Sequence, residues 1–162
     1  MPAKKNWKVI NRDYNEKIIS FGTSVYTISN GYMAIKGDIQ EFPVGRYRTT
    51  LINGLFDRIN IFSLLQPSNR ERRYLDPEYF DSAGPSPSVA NLPDPFFTQI
   101  FVGGRQIAFS LGDIRDFQQM YDLQCGTYSY EFEFEDADGK TTHIAMMRFC
   151  DMEKIHRSTG KL

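Results

Sequence analysis

"TYSYEFEFEDADGKTTHIAMMRF", residues 127–149, is the stretch that decides the fold class. In its first part aromatic residues alternate with Ser, Glu and Thr. The aromatic face comprises Tyr128, Tyr130, Phe132 and Phe134. A period of two predicts a β-strand with one packed face and one face in water. Asp138-Gly139 predicts a hairpin turn. The apolar residues that follow fall on both faces, which predicts a more buried partner strand.

Two further stretches repeat the hairpin pattern. "SVYTISNGYMAIKG", residues 24–37, predicts two short strands around Asn30-Gly31, because both residues tolerate the positive φ of a tight turn. "FFTQIFVGGRQIAFSLG", residues 96–112, predicts a second hairpin with Gly103-Gly104 as its turn. Helical signals are weak. Residues 112–123 and 57–65 could each form about one turn of helix.

Residues 66–95 separate these strand groups and carry six of the eight prolines. Proline removes a ladder hydrogen bond, so this stretch cannot form a central strand, and we predict a long Pro/Ser-rich loop. Hairpins joined by one long excursion predict an all-β fold, an antiparallel β-sandwich. The length of 162 residues suits one domain, and we assign 1–162 to a single sandwich.

The composition excludes several classes of protein. With 19 basic and 20 acidic residues, the chain carries no electrostatic footprint for nucleic acid or for an anionic membrane. The first residues lack the apolar core segment of a signal peptide, so we do not expect one. No apolar run reaches membrane-spanning length. Cys125 and Cys150 cannot form a disulfide framework, so we expect two buried reduced thiols, with a single disulfide as the alternative. A cytoplasmic protein is expected.

The sequence shows no constellation for catalysis, cofactor or metal, and we expect none of these in this chain. Glu131, Glu133 and Glu135 share the face opposite the aromatic residues and are interpreted as a solvated surface. His143 and His156 lie far apart and lack ligand spacing.

One segment of the predicted loop, "NRERRYLDPEYF" at residues 69–80, has two interpretations. Its arginines could bind a phosphate while its rings stack on a sugar. The alternative is a charged surface loop, because acidic neighbours offset the arginines. The candidate contacts are Arg72, Arg73, Tyr74, Tyr79 and Phe80.

The order of the motifs resembles the N-terminal domain of family-65 glycoside hydrolases, which include maltose, trehalose and kojibiose phosphorylases. "SVYTISNGYMAIKGDIQE", residues 24–41, is similar to the opening signature of that domain. The residues that fit its most characteristic positions are Asn30, Gly31, Tyr32, Lys36, Gly37 and Glu41. Three more segments resemble the family in the family's order, at residues 45–57, 91–109 and 121–153. Lys36 and Ala34 depart from the usual Arg and Gly of that signature.

The resemblance implies part of a larger sandwich, of the galactose-mutarotase-like supersandwich type, that precedes a catalytic (α/α)₆ barrel. Twelve helices of ~11 residues with ~5-residue connections need roughly 190 residues, so the barrel is not contained in this chain. We therefore expect a structural or oligomerisation role in an enzyme of α-glucosidic disaccharides. A homo-oligomer or a missing C-terminal catalytic portion would cover the edges of a partial sandwich. A carbohydrate-binding module for an α-glucoside and a β-sandwich adaptor for a protein partner are the alternatives.

Overall fold

The computed structural model describes residues 7–14, 24–39, 49–59 and 86–162, with the side chains of residues 57–59 and 86–88 left out of the description. These residues form eleven strands and no helix. The strands are β1 Lys8–Asn11, β2 Ile28–Ser29, β3 Met33–Ile35, β4 Thr50–Ile59, β5 Ser86–Leu92, β6 Ile100–Val102, β7 Arg105–Ile107, β8 Asp113–Asp122, β9 Thr127–Glu135, β10 Thr141–Cys150 and β11 Ser158–Lys161.

The strands assemble into two main sheets and one separate hairpin. One sheet has five strands in the order β1-β8-β9-β10-β11, and the other has four in the order β2-β3-β4-β5. Every pairing in both sheets is antiparallel. Strands β6 and β7 pair only with each other in the described part of the chain.

The core lies between the two sheets, and it confirms the predicted β-sandwich. The aromatic face of β9 is buried, with Tyr128 0%, Tyr130 1%, Phe132 1% and Phe134 3% exposed. The other sheet contributes Ile28, Met33 and Ile35 to the same cluster. On the outward face of β9, Glu131 accepts a hydrogen bond from Gln118, and Glu135 pairs with Arg115 at 2.8 Å. The alternation of β9 therefore separates core from surface as predicted.

The hairpin at residues 28–35 is confirmed, but its turn is placed differently within the motif. Ser29 pairs with Ala34, and the Asn30 N–H donates to the Met33 carbonyl at 3.2 Å. The two central turn residues are therefore Gly31 and Tyr32, not Asn30 and Gly31. Gly31 has φ 82°, which fits a turn with glycine at its first central position.

The other two predicted turns are also confirmed. Gly103 and Gly104 join β6 to β7 with φ of 58° and 80°, the positive pair that a type I′ turn requires. Gly139 has φ 75° in the connection between β9 and β10. In that connection the Asp136 carboxylate accepts the backbone N–H groups of Asp138 and Lys140, which fixes the path of the turn.

The predicted helical turn at residues 112–123 is wrong, because Asp113–Asp122 forms β8 between β1 and β9. Strand β8 buries Phe117 and Gln119, at 5% and 0% exposure. Its register with β9 shifts between Arg115 and Gln118, where Asp116 has φ 49°. This bulge interrupts the alternation of inward and outward side chains along β8. The sequence pattern therefore did not predict a strand.

The predicted loop at residues 66–95 is wrong for its last part, because residues 86–92 form β5. In the described part of the chain β5 pairs only with β4, and it holds Pro87 at an edge position where proline is tolerated. Residues 66–85 lie outside the described residues. Of the second predicted helical turn, residues 57–59 belong to β4 and the others also lie outside the description.

Two smaller expectations also need correction. Strand β10 is buried on one face only, since Ile144, Met146 and Cys150 are inside and Met147 is 44% exposed. Both cysteines are free thiols, but Cys125 is exposed while Cys150 is buried. Among the described residues, no helix has the length and hydropathy that crossing a membrane would require.

Candidate functional site

The side chain of Asn30 joins the two sheets, and we call this arrangement the Asn30 clasp. Its Oδ1 atom accepts the backbone N–H groups of Tyr32 at 3.1 Å and Met33 at 3.0 Å. Its Nδ2 atom donates to the backbone carbonyls of Asp151 at 2.7 Å and Ile155 at 2.9 Å. Two accepted and two donated bonds fill the usual hydrogen-bonding capacity of an amide. The clasp therefore fastens the β2–β3 hairpin to the chain that leaves β10.

The loop that accepts the two hydrogen bonds from Asn30, residues 151–157, is shaped by Asp151. Its carboxylate accepts the N–H groups of Glu153 and Lys154 at 2.9 Å and the Nε–H of Arg157 at 2.9 Å. The Lys154 N–H, then the Arg157 side chain and the Glu153 N–H, lower the pKa of Asp151. Because these bonds fix the turn, two loop carbonyls converge on the Asn30 amide.

Three further residues of the predicted family motif also act in packing. Tyr32 meets the ring of His156 edge to face, with centroids 4.3 Å apart. Lys36 donates its backbone N–H to the Thr49 carbonyl at 3.0 Å. A Cβ atom on Gly37 would lie 2.3 Å from the Tyr26 carbonyl oxygen, so only glycine fits that position.

The predicted site residues fall into two groups. The structure places Asn30, Gly31, Tyr32, Lys36 and Gly37 along one hairpin and its exit. The remaining candidates lie outside the described residues, so the structure does not place them. They are Glu41, Arg72, Arg73, Tyr74, Tyr79 and Phe80.

Sequence reasoning missed a buried arginine on β10. Arg148 is 1% exposed, and its Nη2 donates to the backbone carbonyl of Asp38. The guanidinium carbon lies 5.3 Å from the ring centroids of Phe96 and Tyr128 and 5.6 Å from that of Tyr130. Within the described residues, Nε and Nη1 have no hydrogen-bond partner. The rings therefore provide most of the surroundings of this cation.

Position in the strand could have revealed Arg148 as a buried residue. It shares the parity of Ile144, Met146 and Cys150, all of which face inward. The alternation was obscured because Ala145 and Met147 place apolar side chains on the outward face of the same strand. The sequence thus suggested a strand buried on both faces instead of one with an inward charge.

A buried tyrosine and glutamine complete this polar cluster. The Tyr128 hydroxyl accepts a hydrogen bond from Gln119 Nε2 at 3.0 Å, and both residues are 0% exposed. Burial raises the pKa of Tyr128 well above its usual range, while Arg148 and the Gln119 hydrogen bond oppose that rise. The cluster is closed to solvent, and it therefore orders the core without access to a substrate.

Three surface depressions formed by described residues are candidate binding surfaces. A groove of ≈ 400 Å³ crosses the outer face of the five-stranded sheet near Met120, Ser129 and Met147. A second, of ≈ 310 Å³, runs beside the Asn30 hairpin and is bounded by Phe56 and Val89. Each holds at most one acidic side chain among its described lining residues, so neither provides a pair of carboxylates for acid–base catalysis.

The third depression, of ≈ 150 Å³, does contain two carboxylates. Asp136 and Asp138 both pair with Arg105, at 3.7 and 2.6 Å. The Lys140 backbone N–H is the main cause that lowers the pKa of Asp136, so this group stays ionised. Within the described residues, no three His, Cys, Asp or Glu side chains are grouped to hold a metal ion.

Residues 10–160 match the family described as "Glycosyl hydrolase family 65, N-terminal domain". The match covers nearly the whole chain, including both sheets and the Asn30 clasp. This chain belongs to that family. The resemblance inferred from the motifs is thereby confirmed.

Characterised relatives of this family-65 N-terminal domain are much longer than the chain itself. A kojibiose phosphorylase of Caldanaerobacter subterraneus subsp. tengcongensis is 24% identical over 94% of this chain and 17% of the relative. A 3-O-alpha-D-glucosyl-L-rhamnose phosphorylase of Lachnoclostridium phytofermentans is 23% identical over 94% of this chain and 20% of the relative. The chain thus spans about a fifth or less of the length of these proteins.

A solved structure shares the fold of the family-65 N-terminal domain. It is named provisionally as a kojibiose phosphorylase from human microbiome, and it superposes with a TM-score of 0.73 at 18% identity. The superposition covers 94% of this chain and 19% of that structure. At this level of identity the likeness concerns the fold alone.

Proposed function

We propose that this chain is the non-catalytic N-terminal sandwich of a family-65 phosphorylase or hydrolase that acts on α-glucosidic disaccharides. It holds the catalytic portion in place and contributes an oligomer interface. The observation that supports this role is the Asn30 clasp. Four hydrogen bonds commit Asn30, a residue of the family motif, to joining the two sheets, which supports a structural role for the motif.

The positions of the described acidic side chains are in keeping with the proposed non-catalytic role. Glycoside cleavage requires two carboxyl groups on either side of the scissile bond. The described carboxylates that line the depressions already have partners. Asp136 and Asp138 pair with Arg105, and Glu131 accepts a hydrogen bond from Gln118. Under the proposal, catalysis belongs to the part of such an enzyme that corresponds to the remaining length of the relatives.

Activity of the purified chain tests the non-catalytic assignment directly. The chain is incubated with inorganic phosphate and kojibiose, maltose or trehalose, and release of glucose 1-phosphate and glucose is measured. We expect no turnover. Phosphorolysis or hydrolysis of any of these disaccharides at a rate above a heat-denatured control would contradict the assignment.

A chimera tests the supporting role. The N-terminal 17% of the Caldanaerobacter kojibiose phosphorylase is replaced by this chain, and its activity is compared with that of the same enzyme lacking the segment. We expect the chimera to fold and act on kojibiose, and Asn30→Ala to shorten its half-life on heating. Asn53→Ala, a change at an exposed site on the same sheet, is the matched control. A truncated enzyme that works as well as the chimera would sink the proposal.

Exposed apolar side chains support the proposed interfaces. Phe56 is 62%, Phe101 59% and Met152 73% exposed, and each lies on a strand or loop of the sandwich. Under the proposal, a second copy or the catalytic portion of the enzyme covers these side chains. Light scattering coupled to size exclusion should show a dimer or larger species. A monomer that persists at high concentration would argue against self-association.

An α-glucoside contact in residues 72–80 stays a separate prediction, because those residues lie outside the described part of the chain. Calorimetric titration with kojibiose, repeated on Tyr79→Ala, tests it, and an absence of heat in both proteins would refute it. A cytoplasmic location is also part of the proposal. The two free cysteines are in keeping with a reducing compartment.

A further inference from the structure

The chain contains two Asn-Gly steps, and the structure holds them differently. They are Asn30-Gly31 and Asn53-Gly54. A glycine after asparagine leaves its backbone nitrogen unshielded, so that nitrogen can attack the side-chain amide carbon of the asparagine. Both glycines have φ 82°, so the local backbone at the two glycines is alike. The difference lies in the asparagine side chains.

The Asn30 side chain is held in place. Its amide nitrogen donates to two carbonyls of the Asp151–Arg157 loop, and its oxygen accepts two N–H groups of its own turn. Rotation of the amide carbon toward the Gly31 nitrogen would break these contacts. Several hydrogen bonds would be lost together, two of them to the opposite sheet, so the reactive geometry is strongly disfavoured.

The Asn53 side chain is exposed and has no hydrogen-bonding partner within the described residues. It lies in the irregular part of β4, where the register with β5 jumps from Leu51 to Phe56 and leaves residues 52–55 without β5 partners. A Cβ atom on Gly54 would meet no atom of the described residues within 4 Å. Both the side chain and the glycine thus have room to form a five-membered ring.

We propose that Asn53 is a site of spontaneous deamidation in the folded protein and that the Asn30 clasp protects the other Asn-Gly step. The Gly54 backbone nitrogen bonds to Asn53 Cγ, the Cγ–Nδ2 bond breaks, and ammonia leaves with the proton that the Gly54 nitrogen gives up. The product is a succinimide. Water then opens either carbonyl of the ring, giving aspartate or isoaspartate.

Both products change the surface beside the Asn30 hairpin. The Asn53 N–H donates to the Tyr32 carbonyl at 2.7 Å, and Asn53 lines the groove that Phe56 and Val89 bound. Aspartate adds a negative charge to a groove with no described acidic side chain. Isoaspartate also diverts the main chain through an extra carbon atom where β4 meets the hairpin. Aged protein is therefore expected to differ from newly made protein on this part of the β4 surface.

The test compares the two steps within one chain. Folded protein and protein in denaturant are incubated at mildly alkaline pH, digested, and mapped by mass spectrometry for the mass gain that converts an amide to an acid. In denaturant we expect both asparagines to react at similar rates. In folded protein we expect the gain at Asn53 and not at Asn30. Equal reaction of both in the folded state, faster reaction at Asn30, or no reaction at Asn53 would each overturn the proposal.

Asn53→Gln is the matched variant, because it keeps an amide but requires a larger ring. We expect the mass gain in the 53–54 peptide and its labelling by an isoaspartyl methyltransferase to disappear. The Asp138-Gly139 step can isomerise without a change of mass, so labelling is assigned peptide by peptide. Asn30→Ala offers a second check on the folded chain, and loss of labelling at Asn53 in that variant would count against independent sites.

Discussion

The Asn30 side-chain amide donates to the backbone carbonyl of Asp151 at 2.7 Å, across a separation of 121 positions in the chain. A second bond from the same nitrogen reaches the Ile155 carbonyl. Hydrophobic residues of both sheets form the core cluster, and their attraction is non-directional. The clasp instead fixes one geometry, because each hydrogen bond needs its partner at a defined distance and angle. The motif that identifies the family is therefore a joint between sheets.

Replacing Asn30 should weaken the whole domain. Asn30→Ala removes four hydrogen bonds and leaves two carbonyls and two N–H groups to find other partners, so we expect a loss of about 2–4 kcal/mol in the free energy of unfolding. Urea denaturation measures this. Asn53→Ala changes an exposed residue of the same type, and it should stay within about 0.5 kcal/mol of the unaltered protein. Equal losses in the free energy of unfolding for the two changes would show that the clasp adds no stability beyond that of an exposed asparagine.

Gly37 should tolerate no side chain. The alanine Cβ would lie 2.3 Å from the Tyr26 carbonyl oxygen and 2.4 Å from the Tyr26 Cβ, so the backbone must move. We expect Gly37→Ala to cost about 3 kcal/mol by overpacking. Gly139→Ala is the comparison: it has open space but φ 75°, and it should cost about 1–2 kcal/mol from backbone strain alone. The reverse order in denaturation experiments would contradict the close approach.

The buried Arg148 should be replaceable by an uncharged side chain of similar length. Two of its nitrogens have no hydrogen-bond partner in the part of the chain that the structure describes, and three rings lie close to the guanidinium. Arg148→Ala leaves a cavity and should cost about 3–5 kcal/mol. Arg148→Met fills most of that volume, and we expect it to be at least about 2 kcal/mol less damaging. If both variants unfold at the same urea concentration, the charge itself is what the core requires.

The two thiols should differ in reactivity and in their effect on stability at high pH. Burial raises the pKa of Cys150 from 9.0 to about 11, whereas Cys125 is exposed. A thiol whose folded pKa is raised contributes stability below pH 9.0, and this contribution is lost as the pH rises toward about 11. We expect a disulfide reagent to label Cys125 in the folded chain and Cys150 only after unfolding.

Two variants separate these effects. Cys125→Ser should remove the fast phase of labelling. Cys150→Ala should make the loss of stability above pH 9.0 shallower, although the raised pKa of Tyr128 acts in the same direction. Rapid labelling of Cys150 in folded Cys125→Ser protein would contradict its burial.

Much of this fold followed from short-range signals. The alternation in β9 and the glycine turns at Gly103 and Gly139 are local effects of side-chain parity and positive φ, and both are visible in the sequence. Strand β8 was hidden because the bulge at Asp116 breaks the parity. Strand β5 was hidden because an edge position tolerates Pro87, and edge position depends on distant pairing.

The candidate site was less accessible to prediction than the fold. The sequence identified Asn30 as part of a motif, and the motif was interpreted as shaping a hairpin. Its partners Asp151 and Ile155 lie in a segment with no pattern that points to residue 30. Likewise, the ring surroundings of Arg148 combine β9 with Phe96, which no local spacing relates. Contacts of this kind are set by tertiary packing.

The clasp also has a consequence for the order of events during synthesis. Asn30 leaves the ribosome long before Asp151 and Ile155 have been made, so its amide must remain solvated until residues 151–155 have emerged. The same holds for β1, whose partner β8 begins at Asp113. Slow closure of such distant pairs is expected for sheets of this topology. In a nascent chain that stops before residue 155, the β2–β3 hairpin cannot form the Asn30 clasp. Such a chain exposes apolar surface to which chaperones are expected to bind.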